Sequence, residues 1–347
     1  MTRTTGLHRA FATLLILVSL PLSFLLAGCE SIYDGEEDCP VRYHVAFRFT
    51  NNILEADAFA SQVKSVSLFV FDRQGGLVTA KSESGGRLAR PGYTMTVDVK
   101  PGTYDLVAWC GLADGGTFVL NGGTTPATRE EARTRLERER AADGTAVSAK
   151  ALTPLFHAQA ADVDFPADTW GDTLVCTMDL TKDTNTIRII LSNYNAQPID
   201  PDDFTFAIAE ENGLLGCDNM PLADETVTYT EWTKKSMDEP RQEDTRTVID
   251  AISSMIAEID MSRLMADRGT RLVIRAKGHD DPVLSLPLIQ LLLYAKGEAR
   301  SQMSDQRYLD CQDEYNLIFY INEDKGWYMD AGIYVNGWHM RWQSSDM

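Results

Sequence analysis

Apolar and polar residues alternate in a series of short segments that run through most of this chain. From residue 43 to residue 50, aromatic and aliphatic side chains fall on one side and polar or small ones on the other. A period of two over eight residues predicts a half-buried strand, because successive side chains of a strand point to opposite faces. Similar segments predict further strands at residues 66–71, 94–99 and 103–109. Gly-rich and Pro-Gly turns separate these segments, so the pattern favours an antiparallel β-sandwich.

A second series of alternating segments begins after residue 180. It predicts strands at residues 186–192, 204–208, 271–276, 283–293, 315–321 and 333–342. A chain of 347 residues is also longer than one hydrophobic core usually organises. We therefore expect a mainly β protein with two tandem antiparallel β-sandwich domains and a few short helices. The N-terminal domain is predicted at residues 41–180 and the C-terminal domain at residues 181–347.

Two segments depart from the alternating pattern and predict helices. Residues 126–143 carry interleaved arginines and glutamates around Leu136, which is typical of a solvated helix with i, i+4 ion pairs. An arginine-rich segment could also bind an anion, but here the glutamates largely cancel its charge. Residues 247–267 place apolar side chains near helical spacing, which predicts an amphipathic helix packed on the second sheet.

The first 28 residues resemble a secretory signal peptide. Arg3 and Arg9 precede an apolar run that ends in Leu26-Ala27-Gly28-Cys29. This ending looks like the lipobox of bacterial lipoproteins, in which the cysteine is acylated and becomes the mature N-terminus. We therefore predict Cys29 as the lipidation site. The alternatives are an ordinary signal peptide that ends near a cysteine, and an uncleaved membrane anchor, for which the run is short and interrupted by Pro21.

The charge of the mature chain bears on its partners. Residues 29–40 are polar and acidic, which predicts a flexible tether behind the lipid. Removal of the leader takes away two basic residues and no acidic one, so the net charge changes from −19 to −21. Such an acidic body repels phosphate backbones, so nucleic-acid binding is not expected. Attachment to the membrane would then come from the lipid on Cys29.

The sequence contains no recognisable catalytic or metal-binding motif. No HExxH, G-x-S-x-G, P-loop or EF-hand spacing is present, the histidines are scattered singly, and no CxxC pair occurs. We therefore predict no enzyme activity, no catalytic residue, no metal site and no cofactor. The six tryptophans leave one alternative open, a surface glycan-binding lipoprotein that stacks sugars on exposed aromatic side chains.

Several motifs, taken in order, resemble one protein family. They are the lipobox followed by Cys39-Pro40, Phe49-Thr50-Asn51-Asn52, Val66-Ser67-Leu68-Phe69-Val70-Phe71-Asp72 before Gly75 or Gly76, Pro101 to Leu112, Arg263-Leu264, Tyr308 to Tyr315, and Ile333-Tyr334-Val335-Asn336-Gly337-Trp338. The ordered set is similar to the FimB family, the fimbrial anchor and assembly lipoproteins of Bacteroidota type V pili. The resemblance spans nearly the whole chain.

The resemblance implies two stacked transthyretin-like sandwiches and a structural role. Such a protein is held in the outer membrane by its lipid, is exposed at the cell surface, fixes the fimbrial shaft to the outer membrane and limits its length. The expected partners are the fimbrial shaft subunits, joined by β-strand addition, and the outer membrane, reached through the N-terminal lipid. The first strand must stay in place behind Cys29, so the C-terminal strand is the expected donor. We accordingly predict a partner-binding strand that includes Ile333, Val335, Gly337 and Trp338.

Overall fold

The computed structural model describes residues 42–112, 115–167, 173–193, 197–237, 253–328 and 332–340. The predicted signal peptide, the lipidation site Cys29 and the tether at residues 29–40 lie outside the described residues. Within the described residues the chain is mainly β, with several antiparallel sheets and short helices. The predicted fold class is therefore confirmed.

Twelve strands precede residue 183. They are β1 (Arg42–Arg48), β2 (Ser65–Phe71), β3 (Leu77–Ser84), β4 (Thr94–Val97), β5 (Gly102–Cys110), β6 (Phe118–Leu120), β7 (Thr134–Leu136), β8 (Glu139–Arg140), β9 (Ala146–Ser148), β10 (Phe156–Phe165), β11 (Thr173–Asp179) and β12 (Thr181–Lys182).

Eleven further strands follow among the described residues. They are β13 (Thr184–Asn193), β14 (Phe204–Glu210), β15 (Leu214–Leu215), β16 (Val227–Thr230), β17 (Thr233–Ser236), β18 (Ser254–Ser262), β19 (Arg271–Ala276), β20 (Leu284–Pro287), β21 (Glu314–Ile321), β22 (Ile333–Val335) and β23 (Trp338–Met340).

The helices of the described ranges are short. They are α1 (Phe59–Gln62), α2 (Leu288–Tyr294) and α3 (Asp305–Cys311), and three single 3-10 turns lie at Arg129–Glu131, Pro201–Asp203 and Glu298–Arg300. The side chain of Ser304 caps α3 by accepting a hydrogen bond from the backbone N–H of Arg307.

The first sandwich pairs a three-stranded sheet, β11-β1-β4, with a five-stranded sheet, β12-β10-β5-β2-β3. Aromatic side chains join the two sheets. The rings of Tyr43 in β1 and Phe165 in β10 lie 4.6 Å apart, and those of Phe49 and Phe156 lie 5.1 Å apart at the other end. The alternation of residues 43–50 therefore corresponds to one buried face of β1, as the sequence predicted.

The second sandwich pairs two six-stranded sheets, β17-β18-β13-β21-β22-β23 and β20-β19-β14-β16-β9-β8. Their inward side chains, among them Ile189, Phe206 and Leu317, are fully buried in one hydrophobic cluster. Two pairs, β13 with β21 and β16 with β9, run parallel rather than antiparallel. The sheets are thus mixed, which the prediction of a purely antiparallel sandwich did not include.

Elements from both sides of residue 180 meet in the structure. Strands β8 and β9 precede that residue, yet they complete the sheet that contains β14 and β16. Side chains such as Trp109 and Ile187 also belong to the same hydrophobic cluster. The division into domains at residue 180 stays a prediction.

The charged segment at residues 126–143 is not a helix, and this prediction was wrong. It forms a 3-10 turn, β7 and β8, with Ala132, Thr134 and Leu136 fully buried. The reason is that β2 is buried along its whole length and therefore needs cover on its second face. The segment supplies part of that cover, and the indole Nε1 of Trp109 donates a hydrogen bond to the carbonyl of Ala132 at 2.9 Å.

The predicted amphipathic helix at residues 247–267 was also wrong within the described residues. Strand β18 occupies Ser254–Ser262, with Met255, Ala257, Ile259 and Met261 all fully buried. The buried residues of β18 recur every two positions, but one of them, Ala257, is small and weakly apolar. The larger apolar residues of the segment fall near helical spacing, so the helical pattern was the more evident one. Nine residues of β18 pair with β13, so the sheet determines the conformation.

The predicted strand at residues 283–293 is shorter than expected. β20 ends at Pro287, and α2 follows with Leu288, Leu291 and Leu292 buried. Proline has no N–H group to continue a strand ladder, and β20 is an edge strand, where proline is tolerated. The apolar run therefore changes from strand to helix at the proline.

The predicted strand at residues 333–342 is a hairpin in its described part. β22 and β23 flank a two-residue turn, in which Asn336 has φ +47° and Gly337 has φ +85°. An Asn-Gly pair with two positive φ angles is the preferred sequence of a type I′ hairpin turn. The chain therefore reverses after Val335 rather than continuing as one strand.

Candidate partner-binding edge

All four residues predicted to bind a partner lie in the β22–β23 hairpin. Ile333 and Val335 are fully buried, and they pair with Phe319 and Leu317 of β21. Gly337 lies in the turn between the two strands. The buried side chains of Ile333 and Val335 hold the hairpin in the sandwich. The partner-binding role of the four residues stays a prediction.

The turn of this hairpin is attached to the neighbouring strand by Asn336. Its backbone N–H donates to the carbonyl of Asn316 at 2.9 Å, and its side-chain Oδ1 accepts from the backbone N–H of Asn316 at 2.8 Å. The side chain of Asn316 in turn accepts from Arg188 Nη1 at 3.0 Å, and Arg188 Nε lies 2.6 Å from Glu258 Oε1. The turn therefore has a defined position at the end of the sheet.

β23 is the outermost strand of its sheet within the described residues. An outer strand presents backbone N–H and C=O groups that a further strand can pair with. Trp338 is 58% exposed, and Tyr294 at the end of α2 is 60% exposed. A Cβ atom added to Gly297 would lie 3.4 Å from Cζ2 of Trp338, so the indole ring lies against the Gly297 backbone. The edge is thus flanked by exposed aromatic surface.

Several residues of the family motifs meet elsewhere, in a buried cluster of charges. Arg263 forms two hydrogen bonds with Asp310, at 2.9 Å from Nε to Oδ1 and 2.8 Å from Nη2 to Oδ2. Arg263 also donates to the carbonyl of Asn219, and its Nε lies 3.9 Å from Oδ1 of Asp183. The cluster joins β18, α3 and the loop before β16 to the start of β13.

The sequence analysis did not identify Asp183 or Asn219. Asp183 is fully buried and accepts a hydrogen bond from Asn219 Nδ2 at 2.8 Å. Burial raises the pKa of Asp183 to about 8, although Arg263 opposes the shift. Neither residue belongs to a motif, so only the tertiary contacts identify them.

His157 is a structural residue, as expected for a single histidine in a strand. Its Nε2 lies 2.9 Å from the carbonyl of Cys217, and its ring centroid lies 4.5 Å from that of Trp109. Burial lowers the pKa of His157 to about 4. At neutral pH the ring is therefore uncharged, with the proton on Nε2 donated to the carbonyl.

Two further motif residues organise turns. Oδ1 of Asp72 accepts hydrogen bonds from the backbone N–H groups of Gln74 and Gly76, both at 2.9 Å. Asn52 uses its side-chain amide to bind the carbonyls of Phe49 and Ala56, both at 2.7 Å. These motif positions therefore stabilise turns of the fold.

The comparisons with known proteins agree with this architecture. The sequence profile of the fimbrillin-A associated anchor proteins Mfa1 and Mfa2 matches residues 36–344. Among curated proteins, no match to the chain was found. No helix of the described residues is long and apolar enough to cross a membrane.

Solved structures share the fold. A Bacteroides thetaiotaomicron protein provisionally described as polysaccharide-binding is 29% identical, with a TM-score of 0.74 over 88% of this chain and 100% of that one. A provisionally described adhesin from the same organism is 28% identical, with a TM-score of 0.72 over 86% and 97%. The fimbrial anchor protein Mfa2 from Porphyromonas gingivalis is 16% identical, with a TM-score of 0.64 over 88% and 100%.

The match to the family covers most of the chain and includes both strand series. It confirms the resemblance to fimbrial anchor proteins that the ordered motifs indicated. The chain belongs to the family of fimbrillin-A associated anchor proteins Mfa1 and Mfa2.

Proposed function

We propose that this protein is a non-enzymatic, lipid-anchored subunit that attaches a fimbrial shaft to the outer membrane and limits the length of the fimbria. The observation that carries the proposal is the family match over residues 36–344. The buried charge cluster supports a structural role, because Arg263, Asp310 and Asp183 contact one another inside the fold.

Attachment to the membrane is assigned to the acyl chains on Cys29. Each buried CH₂ group contributes roughly 0.8 kcal/mol, and more than one chain is needed for stable anchoring. The acidic tether then separates the folded body from the membrane surface, at the outer face of the cell. A body with many more carboxylates than basic groups supports this arrangement, because it gains little from anionic lipids directly.

Attachment to the shaft is assigned to β-strand addition at the C-terminal hairpin. β23 lies at the outside of its sheet within the described residues, so a shaft subunit can extend the sheet by backbone pairing. Trp338 supplies an exposed aromatic side chain beside that edge. Backbone pairing provides affinity, and the aromatic contact provides register.

A useful test must leave the core intact. Deletion of residues 333–347 would remove the buried side chains of Ile333 and Val335, so it would confuse misfolding with loss of binding. Substitution Trp338→Ala and deletion of residues 341–347 spare both side chains. Trp232→Ala is the matched control, because Trp232 is also partly exposed but follows β16 rather than β22.

We expect cells with either C-terminal change to shed fimbriae into the medium and to carry abnormal fimbrial lengths, measured by immunoblotting and electron microscopy. The Trp232→Ala control should retain fimbriae of normal length. Normal retention and length with both C-terminal variants, each shown to be folded by circular dichroism, would place the shaft contact elsewhere. Loss of the protein itself from the membrane fraction would instead indicate a defect in its lipid anchoring.

One observation favours a second candidate, surface glycan binding. Trp338 and Tyr294 are both exposed near Gly297, and aromatic faces stack on sugar rings. A relative with 29% identity is provisionally described as polysaccharide-binding. Binding of the purified protein to a glycan array, lost in Trp338→Ala and Tyr294→Ala, would support this candidate. Fimbrial shedding by Trp338→Ala without any glycan binding would support the anchor role alone.

A further inference from the structure

A surface pocket of about 390 Å³ lies between the turn after β1 and the start of α3. Its walls include Asn52 and Ile53 on one side and Arg300, Met303 and Arg307 on the other. None of these side chains belongs to the hairpin proposed to meet the fimbrial shaft. The pocket is therefore a separate feature of the molecule.

The turn that forms the first wall is firmly built. The side chain of Asn52 binds two carbonyls and also accepts a hydrogen bond from the backbone N–H of Leu54 at 3.1 Å. Glu55 completes the turn with φ +52°, a conformation that residues other than glycine rarely adopt. The result is a fixed presentation of Leu54, whose side chain is 82% exposed. The turn therefore holds the exposed Leu54 next to Ile53 and Glu55, which line the pocket.

The second wall carries two positive charges. Arg300 ends a 3-10 turn and Arg307 lies in α3, and both line the pocket. Neither guanidinium group has a hydrogen bond or an ion pair with any residue in the part of the chain that the structure describes. Other arginines, such as Arg138 and Arg263, are paired with carboxylates.

The pocket is positively charged although the chain as a whole is acidic. Asp and Glu together number 51 against 32 Lys and Arg, so carboxylates are abundant as partners. Glu55 is the acidic residue that lines the pocket, and it leaves an excess of one positive charge there. Guanidinium groups bind carboxylates through charge-assisted hydrogen bonds, often in a two-pronged geometry.

We propose that this pocket binds an acidic peptide segment of a partner protein, with a carboxylate on Arg300 and Arg307 and an adjacent apolar side chain on Leu54. The charge complementarity selects the carboxylate. The apolar contribution comes from Ile53 and Met303, which line the pocket, and from the exposed Leu54, which follows Ile53 in the same turn. Such a combination of charged and apolar contacts suits a peptide better than a small inorganic anion.

The test uses the full-length protein in detergent and a labelled hexapeptide of alternating leucine and glutamate, acetylated and amidated at its ends. Binding is measured by fluorescence polarisation. The double substitution Arg300→Gln with Arg307→Gln removes the two charges. The matched control, Arg73→Gln with Arg90→Gln, removes two exposed arginine charges away from the pocket.

We expect the pocket variant to bind the peptide at least about tenfold more weakly than the wild type, because charge-assisted hydrogen bonds are lost. The control variant should bind normally, and Leu54→Ala should weaken binding as well. Circular dichroism should be unchanged for all variants.

Three outcomes would overturn the proposal. One is equal loss of binding in the pocket and control variants, or no loss in either. The second is equal affinity for a peptide with glutamine in place of glutamate, which would exclude a role for the carboxylate. The third is equal affinity for inorganic phosphate, which would make the pocket a simple anion site.

Discussion

Arg263 and Asp310 form a two-pronged ion pair, with Nε–Oδ1 and Nη2–Oδ2 distances of 2.9 and 2.8 Å. The side chains are only 10% and 13% exposed. The pair joins the end of β18 to α3, and it lies beside the fully buried Asp183. Two motif residues that are 47 positions apart in sequence therefore form one structural contact.

Replacement of this arginine should strongly destabilise the fold. We expect Arg263→Met to lower the free energy of unfolding by about 3–5 kcal/mol, because it leaves a buried carboxylate without its partner. Urea denaturation followed by circular dichroism measures the change. The control is Arg48→Ala, which breaks an ion pair with Asp179 whose side chains are 53% and 56% exposed, and should cost at most about 1 kcal/mol. Similar effects of the two substitutions would contradict the structural role of the buried pair.

Stability should fall as the pH rises from about 6.5 to about 8 because of Asp183. Its folded-state pKa is raised to about 8 from 3.8, so in this range the folded protein holds a proton that the unfolded chain has released. The free energy of unfolding therefore decreases with pH, by at most about 1.4 kcal/mol per unit. His157 has a pKa of about 4 in the fold, so it stays neutral there throughout the range.

The substitution Asp183→Asn should remove this part of the pH dependence. Urea denaturation at several pH values between about 6.5 and 8 compares it with the wild type and with Asp179→Asn, an exposed control. If the wild type and Asp183→Asn showed the same slope, the buried carboxyl would have to be ionised across the whole range.

The charged segment around Leu136 should respond to mutation as a packed strand rather than as a solvated helix. Leu136→Ala should lower the free energy of unfolding by about 2–5 kcal/mol, since the side chain is fully buried. Glu137→Ala alters the exposed neighbour and should have little effect. Equal, small effects of both substitutions would favour the helix that the sequence predicted.

Substitution of the predicted lipidation site should release the protein from the membrane. Cys29→Ala should move it from the membrane fraction to the soluble fraction, because the acyl chains are the proposed attachment. Fractionation and immunoblotting measure the change, with Cys39→Ala as the matched control. Unchanged membrane partitioning of Cys29→Ala would exclude lipid anchoring through this residue.

Local pattern predicted the elements whose periodicity is long and regular. β1, β13 and β21 were recognised because large apolar residues alternate with polar ones over most of each strand. The same reasoning failed at β18, where Ala257 occupies a buried position, and at β7, where Thr134 does. Small or hydroxylated residues can fill a core position, so hydrophobicity alone did not locate these strands.

Other features had local signals that the analysis weighted too little. The Asn336-Gly337 pair indicates a tight hairpin turn, and Pro287 indicates the end of a strand. The candidate partner-binding residues lie in a hairpin rather than in the single strand that was predicted. Ile333 and Val335 face the core, whereas Trp338 faces outward.

The sequence by itself determined the β-rich fold class, the family and the candidate lipidation site, because these depend on local periodicity and on ordered motifs. Tertiary structure decided which charges are buried together, such as Asp183 with Arg263, and that Arg300 and Arg307 line one pocket. It also decided that a charged segment covers the second face of β2 and β5. Burial and ion pairing depend on residues that are distant in the chain, so no local pattern contains them.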